Sequence, residues 1–189
     1  MTPSALATPH EAHDGSDWRH ADADSLIDQI LQRYHQRHRE QLATLVAQAE
    51  RVERAHAAHP QCPQGLAAAL HDLHQELDSH MQKEEQVLFP MLRLGFPPMV
   101  RGPIAVMRMD HGDHRQALQQ LVQRAGVAQA PEDACGTWRG LVQGVAELQA
   151  DLLQHMELEE TVLFEGLARP RSMPGGGCGG TGTCGCGRG

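Results

Sequence analysis

Aromatic side chains are scarce, at 3% of the 189 residues, and the rest of the composition points to one soluble domain rich in helix. Long apolar runs are also lacking, which excludes a membrane span, and no secretory hydrophobic region follows the first methionine. Basic charge is outnumbered, with 16 Lys and Arg against 24 Asp and Glu and a net charge of -8, so there is no electrostatic footprint for nucleic acid. Cysteine does not form a framework. Cys62 and Cys135 stand alone, while Cys178, Cys184 and Cys186 crowd the end, an odd total of five that suits a reducing cytoplasm better than a disulfide scaffold.

What the chain does have is a stretch that occurs twice. Leu77-Asp-Ser-His80-Met81-Gln-Lys-Glu84-Glu85-Gln-Val87-Leu88-Phe89 returns as Leu152-Leu-Gln-His155-Met156-Glu-Leu-Glu159-Glu160-Thr-Val162-Leu163-Phe164, a shift of 75 from His80 to His155. Each copy carries His-x-x-x-Glu, and residues four apart on a helix share a face, so imidazole and carboxylate can reach a common point. Upstream, Tyr34-His35-Gln-Arg-His38-Arg39 recurs as Asp110-His111-Gly-Asp-His114-Arg115, a shift of 76 from His35 to His111. The repeated unit is therefore a two-helix hairpin, and its duplication predicts an all-α, up-down four-helix bundle with a pseudo-twofold axis.

The helices can be placed from their punctuation. Helix A is expected over Asp22 to His59, free of Gly and Pro until Pro60, with Leu31, His35, His38, Leu42, Leu45, Ala49, Val52 and His56 on its stripe. Helix B, about Gln64 to Leu94, lines up Leu73, Leu77, His80, Glu84, Leu88 and Met91. Helix C, about Pro103 to Gly126, lines up Ile104, Met107, His111, His114, Leu118 and Leu121; helix D, about Pro131 to Ala168, lines up Leu148, Leu152, His155, Glu159 and Leu163. These are core positions.

Polar groups thus sit where leucine belongs. One histidine on an apolar face is more often a hydrogen-bonded core residue, and one His-x-x-x-Glu is usually a solvated pair. Four helices that each offer histidine to the seam reverse that balance, because uncompensated buried carboxylates cost several kcal/mol apiece, roughly, against a net stability of about 5–15 kcal/mol. A pair of cations removes the penalty. Imidazole and carboxylate without thiolate suit iron, manganese or zinc, and shared carboxylates suit a redox pair such as iron. Pseudosymmetry pairs His35 with His155 on one metal and His80 with His111 on the other, with Glu84 and Glu159 bridging. Open coordination positions would take oxide, dioxygen, nitric oxide or peroxide. One turn before the motif histidines, Glu76 and Asp151 are candidates to accept the second ring N–H of His80 and His155. His56 lies 21 residues beyond His35, roughly 31 Å along a helix, too far for the same cluster.

The segments Asp17-Trp18-Arg19, Tyr34-His35-Gln-Arg-His38-Arg39-Glu40, Val52-Glu53-Arg54-Ala-His56, Ser79-His80 through Met91 and Gly102-Pro103-Ile104-Ala-Val106-Met107, with the helix D motif, closely resemble the repair-of-iron-centres family. These are hemerythrin-like di-iron proteins associated with restoring iron–sulfur clusters damaged by nitric oxide or peroxide. The likeness covers residues 17–168 and implies two iron ions, oxo- and carboxylate-bridged, on His35, His80, Glu84, His111, His155 and Glu159. It prefers His35 to His38 and His111 to His114, and implies that Glu76 and Asp110 assist the centre.

Two departures stand out. Family members commonly carry an N-terminal domain with a Cys-Cys-Gly-Gly motif, whereas 16 residues precede the expected bundle, read as a flexible leader. The bundle is expected over 17–169, followed at 170–189 by a disordered Gly-rich tail whose Cys178, Cys184 and Cys186 could serve as a thiol arm. The expectation is a cytoplasmic repair factor that donates iron rather than turning over a substrate. Its expected partners are damaged iron–sulfur proteins and small ligands such as nitric oxide or dioxygen, with a homodimer possible. The alternatives are a hemerythrin-like dioxygen or nitric oxide carrier or sensor, and a nitric oxide or peroxide reductase at the same metals.

Overall fold

The structure is a computed structural model that describes residues 21–94, 99–126 and 130–166. Helix α1 starts at a cap: the Asp22 carboxylate accepts from the Ser25 N–H at 2.9 Å. It runs as α-helix over Ala23–Ile30, widens to a π turn over Leu31–His35, and resumes over Gln36–Ala55. It therefore ends at Ala55, short of the expected His59. Pro60 disfavours the helical conformation of the residue before it, and the chain leaves through turns in which His59 N–H donates to His56 O and Cys62 N–H to His59 O.

Gly65, at φ 80°, sets up helix α2, which comprises Leu66–Lys83, a π turn Glu84–Leu88, and Phe89–Arg93. The π turn ends two residues before Pro90, which has no N–H to donate to the preceding turn. Helix α3 is Arg101–Ala125, closed by Gly126 in the left-handed region at φ 61°. Helix α4 comprises Gly136–Leu158 and a π turn Glu159–Phe164.

Helices α1 and α3 each pack on both α2 and α4, so consecutive helices are neighbours in an up-down-up-down bundle. Gly144 lets α4 close on α1: a Cβ there would come within 2.6 Å of Leu45 Cδ2. The interior is not one apolar body. A long cluster built on Leu42, Leu45, Leu70, Leu73, Leu121, Trp138, Val145 and Leu148 fills one part, and a shorter one on Ile27, Ile30, Leu88, Phe89, Met107 and Leu163 fills the other. Eight buried polar side chains sit on the same helices between the two: His35, His38, His80, Glu84, His111, His114, His155 and Glu159. Among the described residues no helix is long and apolar enough to cross a membrane.

Candidate metal centre

Six of those eight side chains form two groups that share both glutamates. His35, Glu84, His155 and Glu159 make one group, and His80, Glu84, His111 and Glu159 the other; within each, one ligand atom per residue lies within 4.8 Å of all the others. The sharing is divided atom by atom. Glu84 turns Oε2 to His35 Nε2 (3.4 Å) and Oε1 to His80 Nε2 (3.4 Å). Glu159 turns Oε1 to His155 Nε2 (3.0 Å) and Oε2 to His111 Nε2 (3.1 Å). Each carboxylate thus gives one oxygen to each group, as a bridging ligand must. Three of the six converging side chains lie on π turns: His35 ends one, and Glu84 and Glu159 each begin one. The added residue re-aims the side chain relative to a regular helix.

Two features test whether cations fit. His80 Nδ1–H donates to Asp110 Oδ2 (3.3 Å) and His111 Nδ1–H to Glu160 Oε1 (3.0 Å), so in the neutral rings both Nε2 atoms are bare lone pairs. Those two atoms stand 3.2 Å apart. Lone pairs at that range repel unless a positive charge lies beside them. In addition, Glu84 Oε1 and Oε2, Glu159 Oε2 and His35 Nε2 are buried without a hydrogen-bond partner. Burial, and then the neighbouring Glu159, push the Glu84 carboxyl well above its ordinary range, whereas for Glu159 the surrounding His155 and His111 outweigh burial and hold it well below. Nitrogen and oxygen donors with unspent lone pairs around two shared carboxylates fit a pair of divalent or trivalent metal ions.

Around the ligands lies a ring of oriented acids. His35 Nδ1–H donates to Glu85 Oε1 (2.8 Å), which Arg39 also holds (3.0 Å). His111 is backed by Glu160, which Arg115 holds at 3.1 Å, and His80 by Asp110, which Lys83 holds at 3.0 Å. Such partners fix the tautomer and raise the basicity of the ligating nitrogen. Asp110 thus sits where the family resemblance puts an assisting acid. Glu76 does not: it is exposed, and its expected partner His80 turns to Asp110 instead. Asp151 is a second correction, because its carboxylate is taken by Arg37 (2.8 Å), Arg33 (3.4 Å) and Gln41 Nε2 (3.0 Å), and His155 Nδ1 is left without a partner. Glu85 and Glu160 escaped the sequence reading although they occupy matching places in the two copies, next to Glu84 and Glu159.

Tyr34 was also missed. It falls three residues after Leu31 and four before His38, on the edge of the stripe, and is buried in the π turn, where its ring stacks on His155 at 5.0 Å and 5°. His38 and His114 are buried beside the centre, His38 5.3 Å from the His155 ring and His114 5.0 Å from the His80 ring. Burial is the first cause that holds His35 down at about 2, and His38 and His114 at about 3, against an ordinary 6.5. Below 6.5 the unfolded chain takes up protons that these folded rings refuse, so stability is lost as pH falls through that value, at up to about 1.4 kcal/mol per pH unit and group. His80, lowered by burial too, adds to this, while Glu84, shifted upward, works in the opposite direction, one group against four. The metal-free protein should therefore lose several degrees of melting temperature or more between pH 7 and pH 5; equal melting temperatures at the two pH values would contradict this.

His56 is far from this chemistry. It caps the end of α1, with its ring 5.0 Å from Trp138 and Nε2 3.2 Å from Cys135 Sγ. Cys178, Cys184 and Cys186, and the leader at 1–16, lie outside the described residues.

Comparison with known proteins places this geometry. The Hemerythrin HHE cation binding domain family matches residues 26–167, which contain all six converging side chains. Curated relatives include an iron–sulfur cluster repair protein YtfE from Citrobacter koseri, 46% identical over 84% of this chain and 70% of its own length. Another, of the same name, from Yersinia pseudotuberculosis, is 45% identical over 91% of this chain and 75% of its own. With a helical bundle, a twinned His-x-x-x-Glu motif and these relatives, the chain belongs to the hemerythrin HHE family and, within it, to the repair-of-iron-centres proteins.

Proposed function

We propose that this protein repairs iron–sulfur clusters damaged by nitrosative or oxidative stress by supplying iron to them, and that it carries the iron as a pair held by His35, His80, Glu84, His111, His155 and Glu159. The observation that carries the reading is the division of Glu84 and Glu159, one oxygen to each of two histidine pairs. The shared name of the curated relatives supports the choice of cluster repair. The iron is then cargo, and the chain's own groups set how firmly it is kept. Four imidazoles and two carboxylates hold it, and Glu85, Glu160 and Asp110 orient three of the imidazoles. The apolar clusters on either side limit the access of water. The targets are proteins whose clusters have lost iron.

The test is transfer. Protein loaded with isotopic iron, mixed with an apo-ferredoxin and a sulfide source, should give Mössbauer-visible clusters in the ferredoxin that contain the isotope, and His80→Ala should lower the yield at least about tenfold by analogy with the loss of a metal-orienting contact. Reversible nitric oxide or dioxygen binding without transfer would favour a carrier or sensor instead. In the same assay, serine at Cys178, Cys184 and Cys186 should lower transfer while leaving the bound-iron spectrum unchanged; full transfer would remove the thiol-arm role.

A further inference from the structure

The two halves of the centre are related by duplication, yet they are not equally supported. Three of the four histidines rest on a carboxylate, His35 on Glu85, His80 on Asp110 and His111 on Glu160. The fourth, His155, has a buried Nδ1 with no partner among the described residues. The His38 ring lies 5.3 Å from that of His155, and its tautomer can be traced from the surface inward. Asp151 only accepts, so Gln41 gives it the Nε2–H (3.0 Å) and presents Oε1 to His38 Nδ1–H (3.3 Å). His38 therefore turns a bare, buried Nε2 inward, and that atom has no donor either. Among the described residues no carboxylate meets His155 Nδ1, where the other three histidines each have one.

A second observation falls on the same half. A surface cleft of about 330 Å³ is lined by Ile27, Leu31, Glu85, Phe89, Pro90 and Arg93. Two of its walls touch His35 directly: Glu85 accepts the ring N–H at 2.8 Å, and the Phe89 ring stacks at 5.7 Å. The half with the weaker backing is thus also one that a cleft approaches from solvent, and the part-buried Glu85 carboxylate that lines the cleft is the one that meets His35.

From these we propose that the two iron sites are unequal in function: the ion held by His35 and His155 is the one surrendered, along the cleft past Glu85, while the ion held by His80 and His111 is retained. The proposal rests on the iron-pair reading above. Carboxylate partners of metal-bound histidines are typically worth 10–100-fold in metal affinity, so the exchangeable ion should leave about tenfold faster or more.

The experiment uses the full chain loaded anaerobically to two ferrous ions, mixed with ferrozine, with release followed by the colour of the ferrous complex. Two phases of one iron each are expected. Asp110→Asn should quicken the slow phase toward the fast one, and Leu31→Phe, which narrows the cleft, should slow the fast phase alone. Release of both ions in one phase overturns the proposal, as does an Asp110→Asn protein whose slow phase is unmoved or a Leu31→Phe protein whose fast phase is. Failure of the wild-type chain to take up two irons would instead overturn the iron-pair reading itself, and this proposal with it.

Discussion

Glu84→Met is expected to make the metal-free protein more stable and, in the same molecule, to end its capacity for a metal pair. Both oxygens of Glu84 are buried without a hydrogen bond among the described residues, and burial, with Glu159 beside it, pushes its carboxyl well up. A group in that state costs free energy that a methionine of similar length does not, since replacing buried ionic groups with apolar ones of like volume often stabilises by about 1–4 kcal/mol. At about 2–4 °C per kcal/mol for a chain of this size, melting should rise by several degrees. Metal content, in contrast, should fall from two ions per chain to one or none, because one oxygen is withdrawn from each half at once. Thermal melts beside elemental analysis decide the matter. A variant that melts lower when metal-free would show that the carboxylate is satisfied in some other way, and one that keeps two ions would remove Glu84 as a shared ligand.

Loading the wild type should have the largest effect on stability of any single change. Each ion that binds only the folded chain adds about 2.7 kcal/mol at a hundredfold excess over its dissociation constant. Two ions therefore add roughly 5 kcal/mol, which is comparable to the entire stability of many domains and corresponds to a rise of about 10–20 °C. Such ions would relieve the lone-pair contact between His80 and His111 and could be held by the unpartnered oxygens of Glu84 and Glu159. Chelation should reverse the rise in full. Identical melting curves with and without bound metal would mean that the polar layer is already at ease, and the metal reading would lose its physical basis.

Much of the architecture was legible because the sequence states it twice. The duplicated His-x-x-x-Glu and the 76-residue return of His35 at His111 give the hairpins, their symmetry and the candidate ligands. Ideal helical spacing could not give the π turns, since one inserted residue leaves no mark in a hydrophobic pattern. Tyr34 was left off the stripe and Leu31 put on it, whereas Tyr34 is buried and Leu31 only half so. The oriented acids were misplaced for a related reason. Reasoning along one helix pointed to Glu76 and Asp151, one turn from their histidines, but an imidazole in a bundle core faces its neighbouring helices. Its partner therefore comes from across the interface, as Asp110 does for His80 and Glu85 for His35. The early end of α1 at Ala55 follows from Pro60, a signal present in the sequence but read a few residues too late.

The polar layer that divides the interior has a mechanical meaning. A contiguous apolar core opens as one cooperative unit, but here Ile27, Leu88 and Leu163 are joined to the rest of the bundle through groups that repel one another until cations arrive. A bound pair of ions would act as a rivet between two bodies of unequal size. When the rivet is withdrawn, the small body is free to loosen while the large one, with Trp138 and its leucines, keeps the four helices in register. An emptied molecule is then ready to be refilled without having to fold again.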